Sequence, residues 1–240
     1  MAKALFIDTS RCIACRGCQT ACKEWHGLPA VPTRQRGTHQ NPPDLNPFNY
    51  KLVRFTEAKT AGKVEWLFFP DQCHHCLEPS CKGTAESFAP EAIVVDKKTG
   101  AVVYTEKTAN LTAAQCKEIQ QSCPYDIPRR NDKTGILTKC DMCIDRIRAD
   151  LAPICVKTCG TGAMNFGERD AMLAMAHHRL GAVKVSHPKA QLVDPEDVRV
   201  IYLVTNPEPA LKKQGKQAVE SYSRRELLGG LVSPFRRMAG

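Results

Sequence analysis

Cys73-His-His-Cys76-Leu-Glu-Pro-Ser-Cys81-Lys-Gly-Thr-Ala85 sets three cysteines at short intervals and then an alanine where a fourth would complete the series. The chain holds 13 cysteines in 240 residues, so the gap at Ala85 becomes a question about where the remaining thiols lie. Outward from this stretch they form three further groups. Cys12-Ile-Ala-Cys15-Arg-Gly-Cys18-Gln-Thr-Ala-Cys22 lies near the start. Cys116 and Cys123 follow the opening stretch, and Cys140-Asp-Met-Cys143 with Cys155-Val-Lys-Thr-Cys159 comes last.

An odd number of cysteines packed as C-x2-C-x2-C argues against a disulfide framework. Met1-Ala-Lys-Ala-Leu-Phe-Ile-Asp8 has neither the apolar region nor the small-residue cleavage site of a secretory leader. No run reaches the roughly 18 apolar residues of a membrane span, so the chain is expected to be made as a soluble protein in the cytosol. Zinc is the second candidate, because C-x2-C pairs also occur in zinc ribbons and His74 or His75 offers an imidazole. A tetrahedral ion has no need of three cysteines at successive steps of three, as in Cys12, Cys15 and Cys18. A cuboidal [4Fe–4S] cluster does: three thiolates on one tight loop reach three irons, and in two-cluster ferredoxins the fourth cysteine of each run ligates the other cluster. His74 and His75 then read as neighbours of ligands or as surface residues.

The crossing rule can be applied to four runs: Cys12 to Cys22, Cys73 to Ala85, Ala113 to Cys123, and Cys140 to Cys159. Pairing the first with the fourth collects Cys12, Cys15, Cys18 and Cys159 for one cluster, and Cys22, Cys140, Cys143 and Cys155 for another. Pairing the second with the third collects Cys73, Cys76, Cys81 and Cys123. The mirror site would need Ala85, Ala113, Cys116 and Ile119, which supply one thiol among them. The expectation is three [4Fe–4S] clusters on twelve cysteines, with Cys116 left as a small apolar residue and Ala85 marking a lost site.

The formal charge of +9 ordinarily suggests nucleic acid or an anionic membrane. Three oxidised clusters with their thiolates carry about −6, which leaves about +3. The basic excess mostly balances the cofactor, and nucleic acid is not an expected partner. Lys3–Asp8, 51–56, 64–69, 92–96, 101–105 and 198–205 read as strands, with Lys97-Lys-Thr-Gly100 a hairpin turn. Residues 27–49 read as an irregular covering loop. Glu168 to Leu180 reads as an amphipathic helix with Met172, Leu173, Met175, Ala176 and Leu180 on its apolar side.

Several phrases carry a family resemblance: Cys12-Ile-Ala-Cys-Arg-Gly-Cys-Gln-Thr-Ala-Cys-Lys-Glu-Trp25, His39-Gln-Asn-Pro-Pro-Asp-Leu45, Trp66-Leu-Phe-Phe-Pro-Asp-Gln-Cys73, Cys123-Pro-Tyr-Asp-Ile-Pro-Arg129 and Met164-Asn-Phe-Gly167. Over about residues 3–205 the chain resembles the small (beta) subunits of molybdenum or tungsten formate dehydrogenases, within the wider family of four-run electron-transfer subunits. The resemblance implies an α+β, double ferredoxin-like fold of two pseudo-symmetric modules, one degenerate. Residues 1–30 with 136–167 would form the two-cluster module and 66–135 the one-cluster module. Residues 31–65 would cover them, 168–205 would add a C-terminal helix and strand, and 206–240 a basic tail. It implies a non-catalytic wire. A large catalytic subunit with a bis-pterin metal cofactor and its own [4Fe–4S] cluster delivers electrons, and a cytochrome, ferredoxin or other acceptor receives them. The Cys12 cluster would face the large subunit. Thiosulfate, polysulfide or dimethyl sulfoxide reductases are the alternative catalytic partners; a stand-alone polyferredoxin or a zinc-binding module is the remoter one. Co-export to the periplasm with a partner that bears the signal is implied, cytoplasmic residence being the alternative.

Two features depart from the family pattern. Gly160 follows Cys159 where the family has proline, and Ser223-Arg-Arg-Glu-Leu-Leu-Gly-Gly-Leu-Val-Ser-Pro-Phe-Arg-Arg237 resembles a twin-arginine export box at the wrong end of the chain. The tail is read as solvated or packed on a partner, with a peripheral membrane contact as the alternative. Lys23, Lys82, Lys139 and Lys157 adjoin ligand candidates, and Ile13, Ile127, Ile144 and Ile154 are expected to screen the clusters from water.

Overall fold

The computed structural model describes residues 3–60 and 63–207; nearly all of the basic tail, with its twin-arginine box, lies outside the described residues. The elements run β1 (Lys3–Asp8), α1 (Gly17–Trp25), β2 (Leu52–Thr60), β3 (Lys63–Asp71), α2 (Ser80–Glu86), β4 (Ile93–Val95), β5 (Val102–Tyr104), α3 (Ala113–Ser122), β6 (Arg129–Arg130), β7 (Leu137–Thr138), α4 (Ile144–Arg148), α5 (Ile154–Lys157), β8 (Met164–Glu168), α6 (Arg169–Lys184), β9 (Gln191–Val193) and β10 (Val200–Val204). Residues 27–49 contain no helix or strand, as their proline and glycine content leads one to expect.

Ala4-Leu-Phe-Ile7 is a continuous apolar run, the pattern of a strand covered on both faces. β1 indeed lies inside a four-stranded sheet of order β8-β1-β10-β9, antiparallel to β8 and parallel to β10. Because side chains alternate along a strand, the sheet divides its residues between two cores. Ala4, Phe6, Ile201 and Leu203 pack with Met172, Ala176 and Val183 of α6. Leu5, Ile7, Val200, Tyr202 and Val204 face the other way, onto Cys18, Met142 and Cys155. One face of the sheet is thus sealed by a helix, and the other is the floor beneath the cysteine loops.

Two expectations change here. Residues 168–205 are not an appended helix and strand: β10 pairs with β1 residue by residue, Leu5 with Val200 through Asp8 with Leu203, so the last strand is central to the sheet. The helix continues to Lys184, where Val183 is buried one turn beyond Leu180, and it leaves Met175 exposed. At about 3.6 residues per turn, Met175 falls off the stripe of Met172, Ala176 and Val183 that faces the sheet.

The remaining elements surround the floor. β2 and β3 form a long antiparallel hairpin, from Leu52 opposite Asp71 to Thr60 opposite Lys63. β4 and β5 form the expected hairpin; Asp96 accepts hydrogen bonds from the Thr99 amide (2.8 Å) and hydroxyl (2.7 Å), and Gly100 takes the left-handed conformation (φ 78°) that closes the turn. α3 starts at a reciprocal cap between Thr112 and Gln115. α1 packs beside α5, and α2 beside α3.

Candidate metal centres

The cysteine loops carry backbone strain that their sequences do not require. Ala14 and Arg16 have φ 54° and 60°, His75 50°, Met142 and Cys143 66° and 50°, and Asp126, three residues past Cys123, 49°. None is glycine, and each left-handed residue costs on the order of 1 kcal/mol or more. The strain turns the loops so that amides point at sulfur. The His75 amide donates to the Cys73 sulfur, and the Met142 amide to the Cys140 sulfur, each at 3.4 Å. Backbone amides of Tyr125 and Ile127 do the same for Cys123.

These loops bring the thiols into three groups. Around Cys76 lie Cys73, Cys123 and Cys81. Around Cys140 lie Cys22, Cys143 and Cys155. Cys12 neighbours Cys159 and Cys15, and Cys18 neighbours Cys155, Cys12 and Cys159. The groups abut in sequence: Cys18 and Cys155 share one core, and Cys73 and Cys140 share another. Cys116 stands apart. It is buried in one core with Cys81, Ala85, Leu111, Ile119 and Leu137, and the charge that acts on it is that of Arg130 rather than of another thiol.

As bare thiols these groups are poor acids. Burial, the largest influence, pushes Cys18 and Cys76 up to about 12 and Cys123 up to about 11, and adjacent thiols push in the same direction. Cys159 is the exception. Burial opposes its ionisation too, but bonds from the Thr161 side chain and the Met164, Ala163 and Thr161 amides outweigh it and hold the thiol below its ordinary value. A coordinating metal deprotonates thiols outright, and an all-sulfur set suits zinc or iron–sulfur chemistry. The donor sets therefore fit [4Fe–4S] clusters: Cys12, Cys15, Cys18 and Cys159 for the first, Cys22, Cys140, Cys143 and Cys155 for the second, and Cys73, Cys76, Cys81 and Cys123 for the third.

Other polar groups reach the same centres. His75 is buried and held neutral, first by burial and then by the nearby Lys139 cation; its Nδ1 accepts from the Val102 amide at 3.0 Å. His74 is also buried and stacks on Tyr125 with ring centroids 3.7 Å apart. Neither is a surface residue, and both lie beside the Cys73 group. His26 hydrogen-bonds Asp141 at 3.1 Å and lies 3.8 Å from the Cys22 sulfur. Burial works against its cationic form, but Asp141 and Cys22 raise it to about 11. His26, Asp141 and Cys143 also converge closely enough to grip a single ion, yet Cys143 is shared with the second thiol group and the His26–Asp141 bond already satisfies that pair.

Residues 64–169 match the family described as a 4Fe-4S dicluster domain. The chain is 60% identical over 205 residues to the formate dehydrogenase 2 subunit beta (cytochrome c-553) of Nitratidesulfovibrio vulgaris, an alignment covering 85% of this chain and 94% of that one. It is 52% identical over 206 residues to the formate dehydrogenase subunit beta of Megalodesulfovibrio gigas, covering 86% and 95%. The protein is a member of the formate dehydrogenase beta-subunit family. Identity falls to 31% over 196 residues, 80% of this chain and 85% of the other, with an anaerobic dimethyl sulfoxide reductase polypeptide of Escherichia coli. Like the iron–sulfur subunits it resembles, this beta subunit has a ferredoxin-like iron–sulfur fold, transfers electrons and performs no catalytic step of its own.

The structure sorts the residues expected to modulate the centres. Lys157 is exposed, and Lys23 and Lys82 are half-buried. Lys139 is buried, its Nζ donating to the carbonyls of Val102 and Cys140 and lying 4.7 Å from the Tyr104 ring centroid. Ile127 is buried and Ile144 and Ile154 are half-buried, but Ile13 is 65% exposed. Within this chain Ile13 does not shield the Cys12 loop from water, because the loop lies at the surface and Cys15 is itself exposed. Sequence reasoning overlooked Lys51. It is 2% exposed and lines a pocket with Cys22, Cys140, Cys143 and Cys155. A lone lysine between Tyr50 and Leu52-Val53, ahead of an apolar strand, was the available signal.

Proposed function

We propose that this beta subunit is a three-cluster wire of a formate dehydrogenase, with the three thiol quartets arranged in a row. The observation that carries the reading is the adjacency of the groups: the Cys22 group borders the Cys12 group through Cys18 and Cys155, and the Cys73 group through Cys140. When bound, [4Fe–4S] clusters supply one-electron carriers whose potentials depend on burial, hydrogen bonds to sulfur and nearby charge. The protein's own contribution is to hold four thiolates together, donate amides to them and exclude water.

The pairing of α1 with α5 and of α2 with α3 supports the double ferredoxin-like reading, in which the second pair has lost a cluster. The surface supports entry at the Cys12 end. There Ile13 and Trp66 are exposed at 65% and 61%, and with His39, Phe55 and Phe68 they form the apolar part of an open pocket at the Cys12 loop whose other wall is polar, with Gln35, Thr38 and Glu57. An apolar patch next to an exposed ligand suits a large catalytic partner, expected to carry a molybdenum or tungsten bis-pterin and a further cluster. A cytochrome acceptor is supported by the N. vulgaris relative, whose name includes cytochrome c-553. Among the described residues no helix is long and apolar enough to cross a membrane. Periplasmic residence through folded export with a signal-bearing partner rests on the family resemblance and on the need to assemble clusters in a reducing compartment; its alternative is the cytoplasm.

The test is to isolate the native complex anaerobically through a tag on this subunit and to add formate, following absorbance bleaching and low-temperature EPR. Reduction of the clusters by formate is the expected outcome. Clusters that dithionite reduces and formate does not would move the catalytic partner to another bis-pterin oxidoreductase.

A further inference from the structure

Among the described residues two lysines are buried, Lys51 and Lys139, and both are found where thiol groups meet. Lys51 lines the pocket of the second group, and the thiolates of Cys155, Cys18, Cys140 and Cys22, which span the first and second groups, act on its charge. Its Nζ donates to the Gln72 side-chain oxygen and lies 3.5 Å from the Pro70 carbonyl. No carboxylate pairs with it among the described residues. Lys139 donates to the Cys140 carbonyl at 2.9 Å and is a charged neighbour of Cys73, and so touches the second and third groups; Asp141 is the acidic side chain that feels it.

A buried ammonium with neutral acceptors alone carries a desolvation cost of several kcal/mol. While the surrounding thiols are protonated, only the Gln72 and Pro70 oxygens offset that cost for Lys51. An iron–sulfur core with four thiolates also offsets it, since it is a dianion when oxidised and gains a further negative charge on reduction. The attraction is stronger for the reduced form, so a fixed cation favours the electron's arrival. Low internal dielectric makes this coupling larger than that of any surface lysine.

We infer that Lys51 and Lys139 are paired counter-cations, one at each junction of the wire, and that the middle quartet of Cys22, Cys140, Cys143 and Cys155 is the site both of them bias toward reduction. The inference rests on the reading of the three quartets as cluster sites. Its consequence is a pattern. Neutralising Lys51 lowers the potentials of the first and middle clusters, neutralising Lys139 lowers those of the middle and third, and one cluster shifts in both variants.

The experiment is an EPR-monitored redox titration of the holo-complex, with iron and sulfide analysis of each sample, for wild type, Lys51→Gln, Lys139→Gln and the charge-retaining Lys51→Arg. In each Gln variant two redox waves are expected to become at least tenfold less reduced at a fixed potential, equivalent to 59 mV for a one-electron couple. One of these waves is common to both, and Lys51→Arg returns the waves toward wild type. Full iron content with waves unmoved in Lys51→Gln overturns the inference. If Lys51→Gln fails to retain iron, Lys139→Gln carries the test alone, and unmoved middle and third waves overturn it. Wild-type complex lacking iron and sulfide would instead sink the cluster reading itself.

Discussion

The two helix pairs of the molecule are alike in arrangement and differ in what fills the space beside them. Where α1 meets α5, the filling is sulfur: Cys18, Cys22 and Cys155 are buried there and Cys159 is half-buried beside them. Where α2 meets α3, one side still holds Cys81, but the other is Ala85, Cys116 and Ile119 packed against Ile93, Val102, Leu111 and Leu137. An apolar core has replaced what the crossing rule would have made a fourth quartet. The difference teaches that a set of thiols and a set of aliphatic side chains can occupy equivalent positions in one fold, and on the proposed reading a cluster and an apolar core are alternative ways of holding two short helices together. Ligand bonds are strong and demand specific atoms; aliphatic packing is weaker per contact, tolerates substitution and conducts nothing.

The sharpest way to break the comparison is to remove a ligand from the sulfur-filled side. Cys155→Ala takes a thiol from the middle quartet. We expect the iron content to fall by at least one cluster's worth and the formate-driven reduction of the third cluster to drop by orders of magnitude, with chemistry at the partner's metal intact as read by an artificial acceptor. Unchanged reduction of the remaining clusters would show that the row is not the electron path.

The matching cut on the apolar side should do the opposite. Ile119 is fully buried, and Ile119→Ala removes three carbons from a closed core, at a cost of about 2–5 kcal/mol. Thermal unfolding should come correspondingly earlier while iron per subunit and the EPR spectrum stay as in wild type. Loss of a cluster signal from Ile119→Ala would mean that the apolar side is not an independent filling but a support for the neighbouring quartet.

How much of this contrast could be read from residues alone follows the range of the interactions involved. The cysteine runs were legible because the spacings within a run are local, and the crossing rule proposes the pairing between them. The β4–β5 hairpin was legible because its turn residues are local too, whereas β2 and β3 were read as strands without their pairing. The pairing of β1 with β10 was not legible, since parallel strands at opposite ends of the sequence leave no mark of each other in their residues. Ile13 was misread for the same reason: its neighbours in sequence are ligands, and only the placement of the loop at the surface exposes it. Lys51 was invisible because a lysine is ordinarily solvated, and what permits its burial is the joint position of four cysteines from distant runs.

The smallest expected effect concerns how the two sides are tied together. Asp96, at the β4–β5 turn of the apolar side, pairs with Arg148 at the end of α4 on the sulfur side, Nη2 to Oδ1 at 2.7 Å. Burial works against the carboxylate, but bonds from Arg148 and Thr99 prevail and hold it down to about 2. A depressed carboxylate contributes stability that is present above its unfolded value, near 4, and is lost as the pH falls from there toward 2. The contribution is therefore complete at neutral pH. Arg148 is 60% exposed, so solvent screening limits the pair to about 1 kcal/mol or less. Asp96→Asn should lower the unfolding temperature slightly and by the same amount at pH 6 and pH 9, with the clusters unaffected. A difference that grew between those two pH values would have to come from another titrating group, and Asp96 would then not be the link between the two sides.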